Sequence, residues 1–139
     1  MQFKAAALAA LALLAAPALG VTLSYDETYD KSSNSLAIVA CSDGSHGMLT
    51  KGFTTFGSLP HFPNIGGAVA IAGWNDADCG SCWQLTYNGK SINVLAIDHA
   101  GAGFNIAKAA MNTLTNGQAV QLGRIDVTAK QVAASVCGL

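Results

Sequence analysis

The sequence predicts one small, mostly β domain with a short helix, folded as an irregular barrel and held by disulfide bonds. Three observations carry this. Apolar and polar residues alternate in period two over several short segments, four cysteines follow a leader for export, and glycine interrupts the middle of the chain.

The leader comes first. Lys4 gives a positive start, Ala5 to Ala16 is an unbroken Ala/Leu run, and small residues follow at Pro17, Ala18 and Gly20. The run is shorter than the roughly 20 apolar residues of a membrane span. Residues 1–20 are therefore expected to be a secretory signal, cleaved after Ala18 or Gly20, with residues 21–139 as one exported, soluble domain.

Val21-Thr22-Leu23-Ser24-Tyr25 alternates as a first strand, and Asp26 to Ser35 is a polar loop. Leu36 to Cys41 is expected to be a second, more buried strand. Between Ser42 and Gly80, glycines together with Pro60 and Pro63 argue against long regular elements. Cys82–Tyr87 and Lys90–Asp98 flank Asn88-Gly89 and predict a hairpin, with Asp98 at its exit. Helical spacing of Ile106, Ala109, Ala110 and Leu114 predicts a helix over Phe104–Thr115, stopped by Asn116-Gly117. Ile125–Val132 alternates again, and Val136-Cys137 ends the pattern.

The formal net charge is −1, and loss of Lys4 with the leader makes it one unit more negative. Such a chain lacks the basic stripe that nucleic acid or an anionic membrane surface requires. Uncharged partners are expected. The even cysteine count, Cys41, Cys79, Cys82 and Cys137, reads as two disulfides, with three pairings formally open. Cys79-Gly80-Ser81-Cys82 has redox-pair spacing, but a redox cysteine sits at a helix N-terminus, whereas Cys82 leads into a strand-like segment. A zinc site would need four ligands in a thiol-oxidising route, so no metal or cofactor is expected.

No nucleophile elbow, phosphate loop, dinucleotide fingerprint or zinc-protease helix occurs. Among Asp43, Asp76, Asp78, Asp98 and Asp126, Asp98 is placed suggestively, because it ends an apolar strand and faces Gly101-Ala102-Gly103, where a ligand can approach closely. It could equally cap the loop or pair with His99. Tyr25, Tyr29, Trp74, Trp83, Phe104, Asn75 and Asn105 are of the types that stack on sugar rings and bond hydroxyls. Trp83 and Tyr87 lie in the hairpin and are expected to be core, while Trp74, between Gly73 and Asn75-Asp76, is expected to be reachable. His46 and His61 are expected to be solvated.

With these residues in hand, the mature chain resembles the cerato-platanins, small proteins secreted by filamentous fungi. The resemblance rests on Val21–Asp26, Val39-Ala40-Cys41-Ser42-Asp43-Gly44, Phe62–Gly67, Ile71–Trp74, Cys79–Trp83, Ile97-Asp98 and Gly103–Asn105, with four cysteines at family positions. It implies a six-stranded double-psi β-barrel, shared with the first domain of expansins and with family 45 endoglucanases. It also implies disulfides Cys41–Cys79 and Cys82–Cys137.

The implied activity is expansin-like loosening of cellulose or chitin walls without hydrolysis, with binding of chitin (N-acetylglucosamine) oligomers. Elicitation of plant defence, plant surface receptors and self-assembly are further implied. Asp98 matches the family's functional aspartate, and Tyr25, Trp74, His99 and Asn105 are the residues expected to bind carbohydrate around it. The second carboxylate of a family 45 endoglucanase has no clear match, nor does the His-Phe-Asp motif or the second domain of expansins. One carboxylate cannot run both halves of glycoside cleavage. A weak glycosidase and a host-recognised protein without a sugar function are the alternatives.

Overall fold

The computed structural model describes residues 20–139, and apart from Gly20 the expected leader lies outside them. Six strands are present: β1 (Gly20–Tyr25), β2 (Ile65–Ala68), β3 (Cys82–Tyr87), β4 (Lys90–His99), β5 (Phe104–Ile106) and β6 (Arg124–Val132). Two α-helices, α1 (Lys108–Thr115) and α2 (Ala119–Leu122), and four short 3-10 turns complete the described residues. The strands close into a barrel in the order β1-β5-β2-β4-β3-β6. Two of the pairings, β1 with β5 and β2 with β4, are parallel and the rest antiparallel. This is the mostly β, closed six-stranded fold that the resemblance implied.

The hairpin forms as read, with Asn88 and Gly89 at φ 47° and 78°, the left-handed pair a tight two-residue turn needs. Three segments differ from expectation. Leu36–Cys41 is no strand: Leu36–Ile38 is a 3-10 turn whose first amides are capped by Ser35, its hydroxyl accepting from Ala37 N–H at 3.0 Å. The buried residues Leu36, Val39 and Cys41 do not alternate, and only an isolated bridge pairs this region, Ser35 with Thr55.

The glycine-rich middle contains a strand after all. β2 reads Ile-Gly-Gly-Ala and lies wholly buried between β4 and β5. A Cβ on Gly66 would stand 2.6 Å from Ile106 Cα, and one on Gly67 would stand 2.8 Å from His99 O. Close strand approach, rather than turn formation, requires glycine here.

The third difference lies at Phe104–Ile106, which is strand rather than the first turn of the helix. These residues pair with Leu23–Tyr25 of β1, and the helix starts only at Lys108. There the Asp30 carboxylate reaches across from the long loop and accepts from the amides of Lys108 and Ala109, at 2.8 and 2.9 Å. Those amides are otherwise orphaned at a helix start. Asn116 and Gly117, at φ 55° and 83°, end α1 as read.

Inside the barrel, Leu23, Leu85, Ile106 and Ile125 are buried with Met111 and Leu114 of α1. The long excursion between β1 and β3 buries Tyr29, Leu36, Met48, Phe56 and Ile71 against the barrel as part of the same core. The disulfides are Cys41–Cys79 and Cys82–Cys137, as the resemblance implied, closing loops of 38 and 55 residues. Among the described residues no helix is long and apolar enough to cross a membrane.

Candidate functional site

Alternation along β1 and β5 points Leu23 and Phe104 inward and therefore Ser24 and Asn105 outward. By the same count Asp98 would point inward with Ile92, Val94 and Ala96. It does not, because β4 carries one extra residue: Gly66 pairs with Ala96, but the next residue, Gly67, pairs with Asp98. The bulge at Ile97 turns Asp98 to the outer face.

A continuous outer row results across five strands. Arg124 of β6 pairs with Ser24, Ser24 with Asn105, Asn105 with Gly67, and Gly67 with Asp98. Four strand spacings span about 19 Å. Gly67 has no side chain, so it leaves a gap in the row between Asn105 and Asp98. A second glycine, Gly103 at φ 48°, lets the β4–β5 connection approach Thr22, whose Oγ1 would lie 2.6 Å from any Cβ placed there.

Asp98 is half-buried, and both of its oxygens accept hydrogen bonds. Its Oδ2 accepts from the Tyr29 hydroxyl at 2.8 Å, and its Oδ1 accepts from the amides of Ala40 at 3.0 Å and His99 at 2.9 Å. Burial of Tyr29, followed by the adjacent Asp98 charge, holds the phenol far above its usual range. The His99 side chain is exposed, and its Nδ1 lies 2.6 Å from Ile71 O rather than on the carboxylate. Asn105 accepts from Ser24 Oγ at 3.0 Å.

Trp74 is 63% exposed, and its indole N–H donates to Asp43 at 2.6 Å. The next residue, Asn75, donates its amide to Ala40 O at 3.4 Å, so the Ala40 peptide links the Trp74 loop to Asp98. Asp76 fastens the same loop, and the amides of Asp78 and Ala72 hold its carboxyl below the usual range. Tyr25 is placed differently, half-buried against the core, on the opposite face of β1 from Ser24 and beside Ile106.

Of the other aromatics, Phe104 is buried with Trp83 packed edge-on at 5.5 Å, and Trp83 and Tyr87 are half-buried against the core. His46 and His61 are exposed; His46 lies on Asn75, its amide donating to Asn75 Oδ1 at 2.8 Å. The residues that sequence reasoning missed are Tyr29 as the buried donor to Asp98, Gly67 as the gap, and Ser24 and Arg124 as members of the row. The period-two pattern of β1 and β6 carried a signal for the last two. Nothing local links Tyr29 to Asp98, 69 positions away.

Fold and site together define a small disulfide-linked β-barrel with a polar outer row that ends at the hydrogen-bonded carboxylate of Asp98. The cerato-platanin family model matches residues 21–139. The chain is 54% identical over 117 residues to the heat-stable 19 kDa antigen of Coccidioides immitis, covering 84% of this chain and 80% of that protein. It is 40% identical over 124 residues to cerato-platanin of Ceratocystis fimbriata f. sp. platani, covering 88% and 90%. Among solved structures, cerato-platanin 2 from M. perniciosa superposes with TM-score 0.83 at 54% identity, over 87% of this chain and 100% of that one. The chain belongs to the cerato-platanin family.

Proposed function

We propose that this protein is secreted, binds chitin oligomers and loosens cellulose- or chitin-containing walls without hydrolysing them. The supporting observation is the engagement of Asp98. Glycoside cleavage needs a proton donor and a second carboxylate acting on the same bond. Both Asp98 oxygens already accept hydrogen bonds from protein donors. The neighbouring carboxylates are committed elsewhere: Asp43 to Trp74, Asp76 to its own turn and Asp30 to α1. Such a carboxylate shapes a surface for sugar hydroxyls and does not carry acid chemistry.

Asp98, Asn105, His99 and Trp74 are the residues assigned to carbohydrate contact, with Tyr25 at the margin. Incubating the protein with cellulose and with chitin while assaying reducing ends and fibre cohesion tests this reading. Cohesion falls and no reducing ends appear; release of reducing ends would overturn it in favour of a weak glycosidase.

A second role, recognition by a host, is supported by what relatives are called. One is an antigen, another, from Aspergillus fumigatus, an allergen, and a solved relative is described as a fungal elicitor. Leaf infiltration of native and of reduced, unfolded protein separates the roles: a response that survives unfolding belongs to peptide recognition, and one that is lost requires the fold.

A further inference from the structure

Trp74 carries the most exposed large apolar side chain among the described residues, at 63%, and yet it is held in place. An exposed indole can give its N–H to water, so folding has no need of a protein acceptor there. Trp74 has one all the same: Asp43 Oδ1 at 2.6 Å, with the Ser42 hydroxyl donating to the same oxygen at 3.4 Å. A carboxylate acceptor makes this bond stronger than a neutral one and fixes the ring by its edge.

The backbone that carries the ring is fixed from the same loop. The His46 amide donates to Asn75 Oδ1 at 2.8 Å, and Asn75 sits at φ 56°. Gly44, at φ 79°, lets residues 42–47 press on that turn, since a Cβ there would stand 2.6 Å from Asn75 Cγ. Asp76 accepts from the amides of Ala72 and Asp78, and Cys41–Cys79 joins the bases of the two loops. This clamp leaves the ring outside the core, so ordering it adds little apolar burial to folding. It yields an indole whose one donor is spent and whose surface stays open to solvent, which offers stacking and no hydrogen bond.

We infer that Asp43 is a positioning residue: it holds the Trp74 indole as a preset platform for the apolar face of a pyranose ring, and acts on a bound glycan only through that ring. This rests on Trp74 being a glycan contact, as proposed above. Its new content is that the orientation of the ring, set by a carboxylate in a separate loop, is part of the affinity. A platform fixed beforehand need not be ordered on binding, and one such side chain is worth about fivefold in affinity.

The test uses the disulfide-intact protein with Trp83→Phe, which leaves Trp74 as the one tryptophan. Time-resolved fluorescence anisotropy reads the motion of the ring, and calorimetric titration with the N-acetylglucosamine tetramer reads affinity. With Asp43 present the ring tumbles with the whole molecule. Asp43→Ala adds a fast local component and weakens binding about fivefold. Asp43→Asn, which keeps an acceptor oxygen, recovers most of both. In a Trp74→Phe background, where the ring still stacks but has no N–H, Asp43→Ala changes affinity no further. Affinity unmoved by Asp43→Ala, or lowered to the same extent in the Trp74→Phe background, overturns this inference and leaves glycan binding in place. A protein that retains Asp43 and Trp74 and binds no tetramer overturns both.

Discussion

Asp98 is best understood through the donors around it. Replacing it with Asn leaves one acceptor oxygen where two were used and places an NH2 group against an existing donor, so Asp98→Asn disturbs structure as well as charge. Tyr29→Phe is the cleaner probe. It leaves the carboxylate and removes one buried bond, and we expect about 2 kcal/mol of destabilisation in urea unfolding. The raised phenol also predicts a pH dependence: its contribution is complete below the ordinary tyrosine value of 10.0 and is lost as pH rises above it. Alkaline unfolding of Tyr29→Phe therefore shows a shallower fall than the wild type. Asp76 acts in the opposite direction. Its folded value lies below the ordinary 3.8, so its stabilisation is present above that pH and is lost as acid protonates it. In a Trp83→Phe background, Trp74 emission should change as pH falls below about 4, and Asp76→Asn should show the changed emission already at neutral pH. Asp98 was legible in the sequence as a carboxylate ending an apolar strand. Tyr29 and the Ala40 amide were not, because both reach it from a loop whose path no local pattern specifies.

At the scale of elements, legibility followed the period of two. β1, the hairpin and β6 each bury one face and were readable. β2 was hidden because its central residues are glycines, which carry no hydropathy, and Leu36–Cys41 misled because a loop can bury apolar residues without a sheet. The β2 glycines yield a paired prediction. Gly67→Ala forces a methyl against His99 O, 2.8 Å away, and should destabilise by about 3 kcal/mol while parting β2 from β4. Gly101→Ala meets nothing within 4 Å and should fall within about 0.5 kcal/mol of wild type. Comparing their denaturant midpoints checks the claim that close approach, not loop flexibility, sets the requirement. Asn105 and Asp98 flank Gly67, so a methyl there also crowds the polar row.

For the whole molecule, the cysteine count indicated two bridges but not their partners; three pairings stayed open until the family resemblance chose one. Chain entropy assigns each bridge about 4 kcal/mol as an upper value, since loops of 38 and 55 residues differ little on a logarithmic scale. Their local effects differ. Replacing Cys41 and Cys79 with Ser frees the segment that supplies Ala40 to Asp98 and carries Trp74, so Trp74 emission and oligomer binding should change with the barrel's far-ultraviolet dichroism kept. Replacing Cys82 and Cys137 should lower the melting temperature comparably and leave Trp74 unaffected. The order in which strands close was not legible, because parallel pairs such as β2 with β4 join segments with no turn between them. That closure has a consequence for how copies meet. Among the described residues each strand has a neighbour on both sides over part of its length, and the staggered registers leave only short one-sided stretches, such as Ala129–Val132 of β6 and Lys90–Val94 of β4, as free backbone edge. Copies of the molecule brought together could therefore exchange backbone bonds only over those few residues, and side chains cover the rest of the surface through which they would meet.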